Sequence, residues 1–577
     1  MPPRLKPLLE PAGLVLAALL AFGVTLKTGF LWDDHQMIER NPRLELTAAN
    51  FAAAFKGDPF GQGLNYYRPL QTVSNMLDFA VWGYRPFGFH LANFLFHAGT
   101  AVLFFYLALA LNFPRGPSFW AAALLAVHPA AVEQLLVVAG RAELAAAACS
   151  LASLLLFVRG RDAGAFVFFL AACGFKETGL AVPPLAALCL WRLGRGRRDY
   201  LRLLPLFAFV PAYLFLRHQA LGMGALSKGA LPVLSGLALK APAALLAYLK
   251  EALLPFDMHS HRLQPDIAVL RWAAPSALLA GGAALARYGG RTAVFCAGWY
   301  LLNLAPKLPL LATNDLMLDH WVYLGNAGLF LGAAAWLWER APRLKPLLPA
   351  AAAACALLSA SNALARDTDL EIYEHAVRRS ASKPMRYNLA REYFLLGRAA
   401  ESRAVLEAVT AEEPGNPMYL NGLALARAAA GETAGALAAL DSALALRPGD
   451  KETLFNRYSV LARAGRKEAP AALKAALEAA PDHPPALLAA ARAELAAGRA
   501  AAAAGLYSRL LAASPNDLEG LNDFGILLAR SGDLDGAARL WRRALALAPG
   551  QESVRANLAR LEGIMAAKAS SGGPAAP

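Results

Sequence analysis

Two adjacent carboxylates, Asp33 and Asp34, follow directly on the first apolar run of the chain, within Gly29-Phe-Leu-Trp-Asp-Asp-His-Gln-Met-Ile-Glu-Arg-Asn-Pro42. A carboxylate is expensive inside hydrocarbon and ordinary in water, so at the boundary partial desolvation can tune its basicity. An acid pair there suits proton abstraction at a membrane surface. The plainer reading, a polar helix end that caps a span, is the one the pair alone favours.

Further clusters recur at the ends of apolar runs. Asn65-Tyr-Tyr-Arg-Pro-Leu70 sets Arg68 among aromatics, which suits a bidentate grip on phosphate or an interfacial anchor belt. His128, Glu133, Arg141 and Glu143 lie within sixteen residues between two apolar stretches, and Lys176-Glu177 closes another. Ionisable groups at such depth usually face a cavity and pair with one another, as a functional site or as a structural ion-pair network. A last loop, Ala305 to His320, brings Asn314, Asp315, Asp319 and His320.

The elements that must position these groups follow from composition. The 577 residues are 57% hydrophobic and 17% charged, with a mean hydropathy of +0.38, too apolar for a water-soluble chain of this length. Up to about residue 365 the apolar residues form runs close to span length. The net charge of +14 then reads as basic loops on the cytoplasmic side rather than as a nucleic-acid surface. All five cysteines lie in apolar runs without a CxxC spacing, as small core residues and not as disulfide or metal ligands.

Arg4 and Lys6 ahead of Ala12 to Leu26 predict an uncleaved first span with a cytoplasmic N-terminus. Asn50 to Phe55 predicts a turn or two of interfacial helix. Basic residues at Arg115, Arg159 and Arg161, Arg192 to Arg202, Arg287 to Arg291 and Arg340 to Lys345 alternate with the polar clusters. Leu231 to Leu254, interrupted by Lys240, Pro242, Lys250 and Glu251, is read as interfacial or re-entrant. The count is then eleven crossings, with the C-terminal part on the same outer face as Asp33 and Asp34.

Beyond the spans a repeat is explicit. Prolines fall at 414, 448, 481, 515 and 549, and glycines at 397, 431, 465, 498 and 532. A period of about 34, with Gly between two helices and Pro after the second, is the tetratricopeptide (TPR) pattern. The predicted fold class is therefore all-α: a polytopic membrane domain over 1–365, a TPR solenoid of about five repeats over 366–565, and a disordered tail over 566–577. The solenoid offers a groove for an extended protein or peptide.

Trp32-Asp-Asp34, Tyr67-Arg-Pro-Leu70, Gly88-Phe-His-Leu91, His128-Pro-Ala-Ala-Val-Glu133, Gly140-Arg-Ala-Glu143 and Lys176-Glu-Thr-Gly179 occur in this order ahead of the repeats. The series resembles the transmembrane-and-TPR-repeat O-mannosyltransferases, within the GT-C membrane glycosyltransferases; 257–264 and 308–320 match the family poorly. The resemblance implies an inverting transferase that takes mannose or a similar sugar from a polyprenyl-phosphate carrier outside the membrane. It implies an acidic base in the first outer loop, Asp33 or Asp34, with Asp34 taken as the essential one. Arg68, Arg141 and Lys176 would clamp the leaving phosphate, and His128 and Glu133 would orient them or the sugar, with Glu143, Glu177 and His320 completing the donor site. The donor is a co-substrate; no further cofactor is implied and no metal ligand set is assigned, a divalent ion staying open. The bias to Ala, Gly, Arg and Pro suggests a GC-rich bacterial genome, hence an inner membrane with the repeats facing the periplasm. A non-enzymatic TPR scaffold in the membrane and a transporter are the competing readings. A scaffold needs one span and no buried charges, and a transporter would show symmetric halves, which the placement of breaks lacks.

Overall fold

The computed structural model describes residues 9–57, 66–221, 230–259, 261–264, 269–313, 316–548 and 550–571. It divides into two compact units, Met1–Met385 and Arg386–Pro577. Asn314 and Asp315 lie outside the described residues, as do Asn65 and Pro549.

In the first unit the helix Leu9–Phe22, prolonged by a 3-10 turn over Gly23–Lys27, is apolar on every side. It buries Leu14, Ala18, Ala21 and Phe22 and leaves Leu16, Leu19 and Leu20 exposed. A helix apolar all round with so much bare surface is a membrane span. The helix Pro86–Ala110 runs antiparallel to it. At one end the His90 ring lies 3.1 Å from the Gly29 carbonyl oxygen; midway the Phe22 and His97 rings meet edge to face at 5.1 Å; beyond the other end Arg115 Nε donates to Glu10 at 2.6 Å. The first loop carries the short helix Ala48–Ala54, capped by the Thr47 hydroxyl on the Asn50 N–H, where the sequence predicts an interfacial turn.

Among the described residues six helices are long and apolar enough to cross a membrane, eight if each of two bent pairs is one span, against the eleven crossings expected. Part of the difference lies in where helices break. Asp162–Phe175 and Val182–Leu193 have 14 and 12 residues, about 20 Å at 1.5 Å per residue, against a hydrocarbon core of about 30 Å. Apolar windows overlook such breaks. The stretch read as re-entrant bends by 49° between Val233–Leu239 and Ala241–Leu253. Among the described residues the regular elements are helices except for a two-residue antiparallel ladder, Arg262–Leu263 against Leu316–Met317.

The breaks leave polar residues together at one end of the helices. Arg115–Val127 stops at His128-Pro129, whose missing N–H cannot continue it. Two short turns and Gly140 then lead into Arg141–Val158. Gly140 is obligatory there, since a Cβ would stand 2.3 Å from the Gln134 Cα. At the opposite ends basic residues pair with aromatics and acids: Arg192 over Phe113 at 4.6 Å, Arg291 over Trp191 at 5.6 Å, and Arg202 Nε 2.9 Å from Asp162.

The second unit is a succession of helix pairs: Lys383–Leu395 with Ala399–Glu412, Pro417–Ala429 with Thr433–Leu446, Lys451–Arg463 with Ala469–Ala479, Pro484–Ala496 with Ala500–Ala513, and Leu518–Ser531 with Leu534–Leu547. Between the helices of each pair the expected glycine takes a left-handed φ of +76°, +82°, +61°, +76° and +93° at 397, 431, 465, 498 and 532, which only Gly adopts without strain. These are TPR repeats. A final helix, Glu552–Ser571, packs its Val554, Leu558 and Leu561 with Leu521 and Trp541 of the last repeat. It runs into the segment expected to be a disordered tail, of which 572–577 lie outside the described residues. Asp369–Arg379, expected to begin the solenoid, belongs to the first unit.

Candidate active site

The loop after the first span is packed, not loose. Phe30, Ile38 and Leu44 form a cluster with Phe89 and Val138. Its two acids point to different environments. Asp34 is fully buried. Its Oδ2 accepts the N–H groups of Leu31 at 3.2 Å and Val138 at 2.9 Å, and its Oδ1 accepts that of Ala139 at 2.9 Å. Burial pushes its carboxyl up to about 7 against these three backbone donors, with Asp33 raising it slightly further. Asp33, next in the chain, is exposed, and its carbonyl receives the Gln36 and Met37 N–H groups of the following π-helical turn.

Six of the remaining sequence-predicted residues meet in three pairs. Glu143 accepts from Lys176 Nζ at 2.8 Å and from Lys307 Nζ at 3.0 Å, all three being buried. Glu177 faces Arg68 Nη2 at 3.6 Å, and the Arg68 guanidinium lies 4.4 Å over the Tyr66 ring. Burial works to raise the Glu177 carboxyl, but Arg68 and Lys176 outweigh it and hold it below the usual range. Glu133 and His320 pair at 3.4 Å. Burial, opposed by Glu133 and aided by Lys176, keeps the His320 imidazole below its ordinary value. Glu143, Ser150, Thr178, Asn303 and Lys307 line a cavity of about 10 Å³, room for one water.

Two predicted residues stand apart. Arg141 is fully buried and spent on the protein: Nε on Asn93 Oδ1 at 2.9 Å, Nη2 on the Phe89 carbonyl at 2.9 Å and on Asp78 at 2.5 Å, Nη1 on Ser74 Oγ at 3.3 Å. His128 caps its own turn, its Nδ1 accepting the Ala130 N–H at 3.2 Å, and its ring rests on Phe330. Both residues set the shape of the 128–141 turn to which Asp34 is bonded.

A neighbouring group joins Asp319, named from the sequence, to residues that were not. Arg262 lies 2.7 Å from Glu251 and 3.7 Å from Asp319, and Asp319 accepts the His259 N–H at 2.7 Å. Burial, with Glu251 next, raises the Asp319 carboxyl well above its usual range. Lys307 had a signal, a lone cation inside an apolar run; Asp78 and Arg262 had none stronger than any surface charge. Among the described residues no three His, Cys, Asp or Glu side chains gather as a metal site.

No family model matches the chain. It is 34% identical over 207 residues to Protein O-mannosyl-transferase Tmtc1 of Drosophila melanogaster, a match covering 33% of this chain and 24% of that protein. It is 32% identical over 182 residues to Protein O-mannosyl-transferase TMTC2 of Mus musculus, covering 28% and 22%. The chain thus spans about a quarter of the length of the curated relatives it matches. Among solved structures, a thermophilic TPR protein of Thermus thermophilus is 22% identical, covers 31% of this chain and 98% of its own, and has a TM-score of 0.27. Yeast Tom70 is 12% identical, covers 73% and 96%, and has a TM-score of 0.32.

Proposed function

We propose that this multi-pass membrane protein is a glycosyltransferase that moves mannose or a similar sugar from a polyprenyl-phosphate carrier to a protein hydroxyl on the outer face of a bacterial cytoplasmic membrane. The observation that carries the reading is the split between the two acids, one exposed and one locked into the backbone of the 138–139 turn, in a chain similar to protein O-mannosyl-transferases.

Asp33 is the base in this reading. It takes the proton of the acceptor hydroxyl as that oxygen bonds to the anomeric carbon. The bond from this carbon to the carrier phosphate breaks with its electron pair on the phosphate, and the configuration inverts. Asp34, its lone pairs occupied by three N–H groups, holds the loop instead of abstracting the proton. The leaving phosphate gains charge, which Lys176 and Arg68 offset. Glu143 and Glu177 fix those two cations in place. The repeats present the acceptor.

The test is transfer from polyprenyl-phosphate mannose to a Ser/Thr peptide by the purified chain in lipid nanodiscs. Asp33→Asn should lower turnover by about 10²-fold or more, the range of general-base catalysis, with unchanged folding. Full activity in that variant would remove Asp33 from the chemistry. Transfer by no variant, wild type included, with any polyprenyl-phosphate sugar would remove the reading.

A further inference from the structure

Trp32 holds a φ of +52°, a left-handed conformation that a bulky side chain keeps only under outside constraint. The constraint is visible. The Trp32 N–H donates to Asp369 Oδ1 at 2.7 Å, and His35 Nε2–H donates to Asp369 Oδ2 at 2.7 Å. One carboxylate thus grips the chain on both sides of Asp33-Asp34. His35 Nδ1–H donates in turn to Glu39 at 2.5 Å. Asp369 opens the helix Asp369–Arg379, whose N-terminus is fixed by a reciprocal cap between Thr368 and Glu371. One turn on, Tyr373 meets the Trp32 ring at 6.2 Å, and His261 meets it at 5.1 Å.

Resting on the reading of Asp33 as base, we propose that Asp369 is a positioning residue for the transfer reaction. By bonding to Trp32 and His35 together it holds the strained turn that sends Asp33 outward while Asp34 inserts against Val138 and Ala139. A loop free to relax at Trp32 would turn the two acids relative to the rest of the site, and the base would lose its aim. The residue lies 335 positions beyond Asp34 in a segment that follows the last long apolar helix, and touches neither the sugar nor the phosphate in this account.

The experiment uses the full chain in nanodiscs with three readouts: hydrogen exchange, transfer kinetics and thermal unfolding. Hydrogen exchange on peptides spanning 29–41 should quicken about tenfold or more in Asp369→Ala. It should quicken less in Asp369→Asn, which keeps an acceptor for the Trp32 N–H. Transfer from polyprenyl-phosphate mannose should lose about tenfold or more in kcat, with the donor KM within about twofold. Thr368→Ala, which weakens the same helix end but keeps the Asp369 carboxylate, should match the loss of thermal stability and spare kcat. Unchanged exchange in Asp369→Ala overturns the proposal, as does faster exchange with unchanged kcat, or an equal kcat loss in Thr368→Ala. An active Asp33→Asn sinks the reading of the base instead, and shows as such whatever the exchange result.

Discussion

The carboxylate of Asp34 lies 2.9 Å from the backbone N–H of Val138, 104 residues further along the chain. That bond and its neighbour from Ala139 stitch the loop after the first span to the turn before Arg141. An acid that reads from the sequence as a free reagent is thereby a structural tie. Asp34→Ala leaves three N–H groups without an acceptor in a dry place, at about 1–3 kcal/mol for each one left unsatisfied. Thermal unfolding in nanodiscs should show a fall of several degrees, and a variant as stable as the parent would refute the tie.

The same residue sets a pH dependence. Its carboxyl titrates near 7 when folded against 3.8 when free, because burial opposes the charged form. Between these values the folded chain binds a proton that the unfolded chain releases, so this group favours folding most below pH 3.8 and loses that contribution as pH rises towards 7. The stability difference between parent and Asp34→Asn should drift against the parent over that window and level off above it. A flat difference from about pH 4 to 8 would contradict the assignment.

Arg141 offers a test of cost by subtraction. Its guanidinium is wholly buried beside Asp78, and burial pushes the Asp78 carboxyl above its usual range despite that cation. Removing one partner leaves an uncompensated buried charge, worth about 3–5 kcal/mol. Arg141→Met alone should therefore be more damaging than Arg141→Met with Asp78→Leu, measured by yield and unfolding midpoint of both in detergent. Additive losses would mean that the pair is not coupled.

Glu143 between Lys176 and Lys307 predicts an asymmetry of the same kind. Deleting one lysine leaves a neutral buried pair; deleting the glutamate leaves two ammonium groups facing each other, both having lost the carboxylate they share, with Glu177 left to act on them. Glu143→Gln should lower the unfolding midpoint more than Lys307→Met does. The reverse order would show that the two lysines are compensated from elsewhere.

How much of this was legible depends on how local each cause is. The 34-residue period, the five glycines and the polar breaks at His128-Pro129 and Lys176-Glu177 mark the sequence where they act, and the helices follow them. Span number was misread because short helices such as Asp162–Phe175 look like crossings in an apolar window. Glu143 could be named but not its second partner, since Lys307 arrives from 164 residues away. Arg141 reads as a phosphate clamp from its type alone; only packing shows Asn93, Asp78 and the Phe89 carbonyl around it. The different settings of Asp33 and Asp34 are of this kind too, following a turn at Trp32 that no local pattern announces.

That choice can be tested without any sugar. Asp33 is exposed and Asp34 has no contact with solvent. A water-soluble carbodiimide with glycine ethyl ester reaches carboxyls that water reaches, so in nanodiscs at mildly acidic pH it should label Asp33 and spare Asp34. Asp34 is mostly protonated there, its carboxyl titrating near 7, and the protonated form is the one that reacts, so its protection would reflect burial and not charge. Peptide mass spectrometry over residues 29–41 separates the two sites. Asp369→Ala, by releasing Trp32 and His35, should admit the reagent to Asp34 as well. Equal labelling of both acids in the parent chain would mean that the loop already opens to water, and the division between base and tie would fail.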